Sequence, residues 1–269
     1  MVIGLAVHSR SATPAARVEA SAQRRPSASS EGFAGSAFAV APGMLVTNAH
    51  VTLQCRRRGL PLQVRGVSGT WRVVQEEPQT DLALLTGAAL PAHQLALSSA
   101  TQLPRGLAVM ALGYPVASAD GVPAGGLRSS LGHLLRASLT VHEPEGGRAN
   151  SFVVRNGQGQ EVAATWDDGL RYFGPHQASR LRWLLEIDAP TANGSSGGPV
   201  LDSAGDVVGV IYAGDPQRGL TAVVPLEDLR EFLLRAGVTP WFRPRPLTTD
   251  LDWRRIRSDA ARAVYRVFC

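Results

Sequence analysis

The 269-residue chain contains no lysine; all 27 of its basic side chains are arginines. That absence excludes every chemistry that needs an ε-amine. A Schiff-base or cofactor-anchoring lysine, a phosphate-loop lysine and a Ser-Lys dyad are all ruled out. Set against 22 acidic residues, the arginines leave a formal charge of +5. Arginine stays charged throughout the ordinary pH range, which accounts for the high isoelectric point. The excess is mild for this length, and no nucleic-acid partner is expected. Cysteine is scarce too, with only Cys55 and Cys269. Neither lies in a CxxC or a Cys/His cluster, so no metal site and no cofactor are expected. The sequence leaves open whether the two pair. No apolar run approaches the length of about 18 residues that spans a bilayer, so no membrane span is expected. The start, Met1 to Val7, has a short apolar stretch with no basic segment before it and makes a poor signal peptide.

What remains is ordinary globular material, 44% apolar and 18% charged, on a chain long enough for a sizeable core. Residues 1–32 are rich in Ser, Ala and Arg without hydrophobic period, and are expected to be a flexible tail. From Phe33 onward short runs rich in Val, Leu and Ala alternate with Gly, Pro and polar clusters. Examples are Ser36–Val40, Met44–Thr47, Leu82–Leu85, Gly106–Leu112, Val207–Tyr212 and Leu220–Val224. This spacing predicts an all-β domain of antiparallel strands. The first clear helical pattern comes late, with Leu226, Leu229, Phe232 and Leu233 on one face and Gly237 as the stop. A Pro-rich strap, Pro240 to Pro246, leads to a second expected helix. Asp250 would cap it, with Trp253, Ile256, Ala260, Val264 and Val267 on one side and arginines over much of the rest. The domain reading is therefore a tail at 1–32, a β domain at 33–237 and a Pro-rich linker with an Arg-rich amphipathic helix at 238–269. No internal repeat is visible.

Three segments bear chemistry. Thr191-Ala192-Asn193-Gly194-Ser195-Ser196-Gly197-Gly198-Pro199 is a glycine-flanked serine loop, which suits a nucleophile that needs backbone N–H groups nearby. Leu45 to His50 reads as a strand ending in a histidine, and Asp81 stands directly before the apolar Leu82-Ala83-Leu84-Leu85. Each has a bland reading alone: a Gly-rich turn, a structural histidine, a turn aspartate. Together they supply a base, a group that orients the base, and a nucleophile. Without lysine, the base for a serine has to be a histidine such as His50. The same loop also satisfies Gly-x-Ser-x-Gly, the nucleophile elbow of α/β-hydrolases. A strand rather than a helix is expected after Pro199, and the order His, Asp, Ser is not the hydrolase order. That reading is set aside.

Thr47-Asn48-Ala49-His50, Thr80-Asp81-Leu82-Ala83-Leu84-Leu85 and Gly194-Ser195-Ser196-Gly197-Gly198-Pro199 resemble the three motifs of chymotrypsin-like serine proteases. Ile187-Asp188-Ala189 and Ala222-Val223-Val224-Pro225-Leu226 are similar to the bacterial HtrA/Deg-like branch. The resemblance implies two antiparallel six-stranded β-barrels with a closing C-terminal helix and a further short helix. It assigns Ser196 as nucleophile, His50 as general base and acid, and Asp81 as the orienting carboxylate, with Ser195 the rival nucleophile. The N–H groups of Gly194 and Ser196 would form the oxyanion hole. Pro190 would floor the substrate pocket beside Thr191, Tyr212-Ala213-Gly214 would pair with the substrate, and Gly219 would line the far wall.

No carboxylate stands at these pocket positions, although Asp215 is close, so cleavage after small or medium apolar residues is expected. A pocket that took arginine would also expose the chain's own arginines to self-cleavage. Ser195 replaces the aspartate that digestive relatives pair with a new N-terminus, so no zymogen cleavage is expected. The stretch after Gly237 is too short for a PDZ domain. Residues 115–183 exceed the matching stretch of relatives, and His133, His142 and His176 within them read as surface or packing residues. The expected partner is a protein or peptide substrate, and oligomeric state is unknown. The resemblance favours an extracytoplasmic location, which the weak N-terminal signal opposes. The readings that remain are an active endopeptidase, an inactive homologue serving as a binding or scaffolding module, and another acyl hydrolase on the same barrels.

Overall fold

The computed structural model describes residues 33–87, 93–116, 125–143, 148–215, 217–243 and 252–269. The expected tail at 1–32, Asp250, residues 244–246 of the strap and most of the Gly121–Gly126 and Gly146-Gly147 clusters lie outside the described residues. In chain order the first elements are β1 (Ala34–Ala41), β2 (Met44–Thr47), α1 (Ala49–Arg57), β3 (Gln63–Val64), β4 (Arg72–Glu77) and β5 (Leu82–Thr86). There follow β6 (Ala108–Gly113), β7 (Arg128–Glu143), β8 (Arg148–Ser151), β9 (Val154–Arg155), β10 (Glu161–Val162) and α2 (Trp166–Phe173). After a 3-10 turn come β11 (Leu181–Ile187), β12 (Pro199–Leu201), β13 (Val207–Asp215) and β14 (Leu220–Pro225). The chain ends with α3 (Leu226–Arg235), α4 (Trp253–Ala260), a second 3-10 turn and β15 (Val264–Phe268).

Apart from the short β9–β10 hairpin, the described strands form two antiparallel sheets, the fold class expected from the sequence. The first is six-stranded in the order β3-β15-β1-β2-β5-β4. Its central strands β1 and β5 are small and aliphatic and buried on both faces. Its edge β4, Arg-Val-Val-Gln-Glu-Glu, is charged and largely exposed, which discourages pairing with another chain. The second sheet runs β11-β14-β13-β12-β6-β7-β8 and closes on itself, because β11 also pairs with β7. The 16-residue β7 makes closure possible. Its first part pairs with β6, from Arg128 to His133, and its later part pairs with β11, from Leu134 to Val141. One apolar cluster runs through both sheets, from Phe38, Leu45, Leu84 and Val264 to Leu184, Leu201, Tyr212 and Phe232.

Three expectations about elements are corrected. His50 is the second residue of α1 rather than the last of a strand, because the chain turns at Asn48. Residues 264–268 are not helical. Val-Tyr-Arg-Val-Phe is rich in β-branched and aromatic residues, and it pairs with β1 from Phe38↔Val264 to Ala34↔Phe268. The helix before it is short and is capped by Asp252, which accepts from Arg255 N. The C-terminal segment is thus a member of the first sheet, and Cys269 forms a disulfide with Cys55 of α1. Third, residues 128–143 of the long 115–183 stretch are an integral strand. In the excursion after it, Phe152, Leu170 and Phe173 pack on Leu139, Val141 and Leu181. α3 matches its expected face: Leu226, Leu229, Phe232 and Leu233 are all fully buried.

Candidate functional site

Asp81 occupies the turn between β4 and β5 with a left-handed φ of 55°, a conformation that Asp tolerates better than most residues. Its carbonyl accepts from Ala49 N at 3.1 Å and from Asn48 Nδ2 at 3.0 Å. Asn48 thus spends its side chain on the Asp81 turn instead of capping its own helix. The fully buried carboxylate takes two more bonds, from His50 N at 2.9 Å and from His50 Nδ1 at 2.8 Å. With an ionised carboxylate as acceptor, Nδ1 carries the hydrogen and Nε2 is left with a lone pair. His50 is itself almost wholly buried.

The serine loop is stitched to the first sheet. Ser36 N donates to Ser196 O at 2.8 Å, and Ser36 Oγ donates to Gly194 O at 2.8 Å while accepting from Tyr114 N at 2.8 Å. Thr47 Oγ1 donates to Ser36 O at 2.7 Å, next to the turn that bears His50. Gly197 fits into this junction only because it lacks a side chain. At its φ of 86° a Cβ would collide with Ser36 O and Thr47 Oγ1. The loop is tied inward as well, through Gly197 N to Ile211 O at 2.9 Å and Ile211 N to Gly198 O at 2.8 Å. Ser196 is the more accessible of the two loop serines, since Ser195 is buried.

Two backbone donors bear on the site. Asn193 O accepts from Val116 N at 2.8 Å, and in a planar trans peptide the Gly194 N–H must then point the opposite way. Among the described residues neither Gly194 N nor Ser196 N has a backbone acceptor. Nor, among the described residues, does Ser196 Oγ hydrogen-bond to His50 Nε2. Such contacts in unliganded enzymes often tighten only when substrate arrives.

The expected pocket residues separate. Pro190 is exposed, its carbonyl accepting from Ser130 Oγ at 2.6 Å. Thr191 and Gly214 are in direct contact, since a Cβ on Gly214 would strike the Thr191 carbonyl. Thr191 Oγ1 lies 3.0 Å from Thr221 Oγ1, which donates to Ala189 O at 2.7 Å. Ala213 is half-buried, and Gly219 supplies a φ of 66° at the β13–β14 turn with open space around it. Asp215 accepts from Gln217 N and Arg218 N and is committed to that same turn. Tyr212 is in strand β13, and its side chain is fully buried behind His50, with ring centroids 5.9 Å apart and planes at 80°.

The sequence reading missed Ser36, Asn48 and His142. Of the two readings given to it, surface or packing, His142 takes the buried one, with Nδ1 2.7 Å from Tyr212 Oη and Nε2 2.8 Å from Pro78 O. Burial pulls its pKa down to about 4, so it is neutral over most of the working range. Burial likewise raises the pKa of Tyr212, helped by the charge of Asp81. None of the three carries a local signal. Ser36 and His142 matter through partners far away in the chain, and Asn48 looked like a strand residue.

A model of the trypsin-like peptidase domain matches residues 35–210. Comparison with curated protein sequences returns no match. Among solved structures the chain is similar to the Rv3671c protease of M. tuberculosis in its active form, at 20% identity and a TM-score of 0.51. That match covers 81% of this chain and 78% of the other. An inactive serine-to-alanine mutant of the same protease matches at 20% identity and a TM-score of 0.52, over 79% and 84% of the two chains. The HtrA-type protease AlgW with a decapeptide matches at 22% identity and a TM-score of 0.48, over 74% and 50%.

Proposed function

Since the chain belongs to the trypsin-like peptidase family, we propose that it is a serine endopeptidase working through His50, Asp81 and Ser196. The single observation that carries this reading is the pair of bonds from Asp81 to His50, which fixes the imidazole tautomer with Nε2 as the free base. In the proposed reaction Ser196 Oγ attacks the scissile carbonyl as His50 Nε2 takes its proton. His50 then returns that proton to the leaving amine, giving an acyl-enzyme and a released fragment. Water, deprotonated by the same nitrogen, attacks the ester, and the proton passes back to Ser196 as the acid product leaves. Asp81 stays ionised throughout and stabilises the imidazolium. The N–H groups of Gly194 and Ser196 would receive the negative oxygen of each tetrahedral intermediate. One such donor is worth about 10²–10³ in rate.

The contact of Gly214 with Thr191, and Asp215 being occupied by its turn, support cleavage after small or medium apolar residues. Nothing at these positions would balance a buried arginine. The test is to digest a proteome-derived peptide library with the protein and with Ser196→Ala. Cleavage by the native protein alone, with Ala or Val enriched before the cut, is the expected result. No cleavage by either protein would support the inactive-homologue reading, and enrichment of Arg would overturn the apolar pocket.

A further inference from the structure

Tyr212 belongs to β13 of the second sheet, whereas His50 on α1 and Asp81 in the β4–β5 turn lie on connections between strands of the first. The two groups meet where the Tyr212 ring stands almost perpendicular to the His50 imidazole. His142, on β7, touches both sides of this junction. Its Nδ1 lies 2.7 Å from Tyr212 Oη, and its Nε2 lies 2.8 Å from the carbonyl of Pro78, in the turn that ends at Asp81. A carbonyl can only accept, so Nε2 carries the ring hydrogen. In the neutral ring Nδ1 is then an acceptor, and Tyr212 Oη donates to it. One imidazole therefore ties the ring behind His50 to the turn that carries the carboxylate.

We propose that His142 and Tyr212 are positioning residues for the His50 imidazole. Tyr212 bears against its ring, and His142 holds Tyr212 and the Asp81 turn in a fixed relation. The inference rests on the reading of His50 as the general base. The bond to Asp81 fixes where Nδ1 points but leaves the ring free to tilt about that bond. The perpendicular face of Tyr212 removes that freedom, and buried His142 keeps Tyr212 from swinging. Neither residue exchanges a proton with substrate. Their contribution is geometric, and misplacement of a reacting group by about 1 Å costs on the order of 10²-fold in rate.

The test uses a fluorophosphonate, whose inactivation kinetics separate the rate at which Ser196 Oγ is phosphonylated with loss of fluoride, kinact, from binding, KI. We expect His142→Leu and Tyr212→Phe to lower kinact about tenfold or more, with KI within about twofold of native. His142→Gln should recover kinact to within about threefold, because a carboxamide supplies one donor and one acceptor in place of Nε2 and Nδ1. Tyr212→Phe keeps the buried ring, so it carries the test if His142→Leu fails to fold. Native kinact in Tyr212→Phe, or a glutamine variant as slow as leucine, would overturn the proposal while leaving the His50 reading intact. A native protein that the probe does not modify would overturn both.

Discussion

At residue scale the site depends on backbone conformations that few side chains accept. Asp81 is the one non-glycine residue with positive φ among the described residues, and it is held there by the bonds to its carbonyl and carboxylate. Asp81→Asn keeps the size and the turn but puts an amide donor toward Nδ1, which favours the wrong tautomer. Fluorophosphonate labelling should slow by about 10⁴-fold while the melting temperature changes little. Gly197→Ala must fail for a different reason. Its Cβ meets Ser36 O and Thr47 Oγ1 at a strained φ, so both folding stability and labelling should fall, stability by about 2 kcal/mol or more.

His142 makes a further residue-scale prediction, with the sign set by burial. Its folded pKa of about 4 lies below the ordinary value of 6.5, so the unfolded chain binds the extra proton first as pH falls. Stability is complete above pH 6.5 and is lost progressively down to about pH 4, by about 2 kcal/mol. Urea midpoints measured across that range should show the loss in native protein and a weaker one in His142→Gln, which does not titrate. Equal pH dependence in both proteins would contradict this.

At the scale of elements, the helix that bears His50 is joined covalently to the last strand. The Cys55–Cys269 bond spans 214 residues of sequence, and a loop that long constrains the unfolded chain strongly. Cys269→Ser should cost about 2–5 kcal/mol, and a reductant should destabilise native protein while leaving the variant unaffected. Removing residues 264–269 should do more harm than the lost bond alone. It would strip β1 of its neighbour on one side and leave an apolar strand with an open edge, so an insoluble product is expected. This arrangement was hidden in the sequence. Val264 and Val267 fit a helix face as well as a strand, and only pairing with β1 decides between them. α1 was hidden because it follows β2 with only Asn48 between them, and that N-cap residue reads equally as the end of the strand. α3, in contrast, was legible because its apolar positions recur at helical spacing and Gly237 stops it.

For the whole molecule, the two sheets each hold half of the proposed machinery. The first carries His50 and Asp81, and the second sends out the serine loop from the approach to β12. That division was readable, because three short motifs of unmistakable composition stand in the right order. The contacts that unite them were not. Ser36 clasping the serine loop, Tyr212 backing His50 and His142 bridging to the Asp81 turn all join residues far apart in sequence, and single residues of common type announce none of them.

The account's central claim is that Ser196, activated by His50, is the nucleophile. Intact-mass spectrometry after fluorophosphonate treatment tests it most directly, with peptide mapping of the modified residue. The prediction is one adduct per native chain, located on Ser196 and absent from Ser196→Ala and His50→Ala. An unmodified native chain, or an adduct that persists in Ser196→Ala, would contradict it.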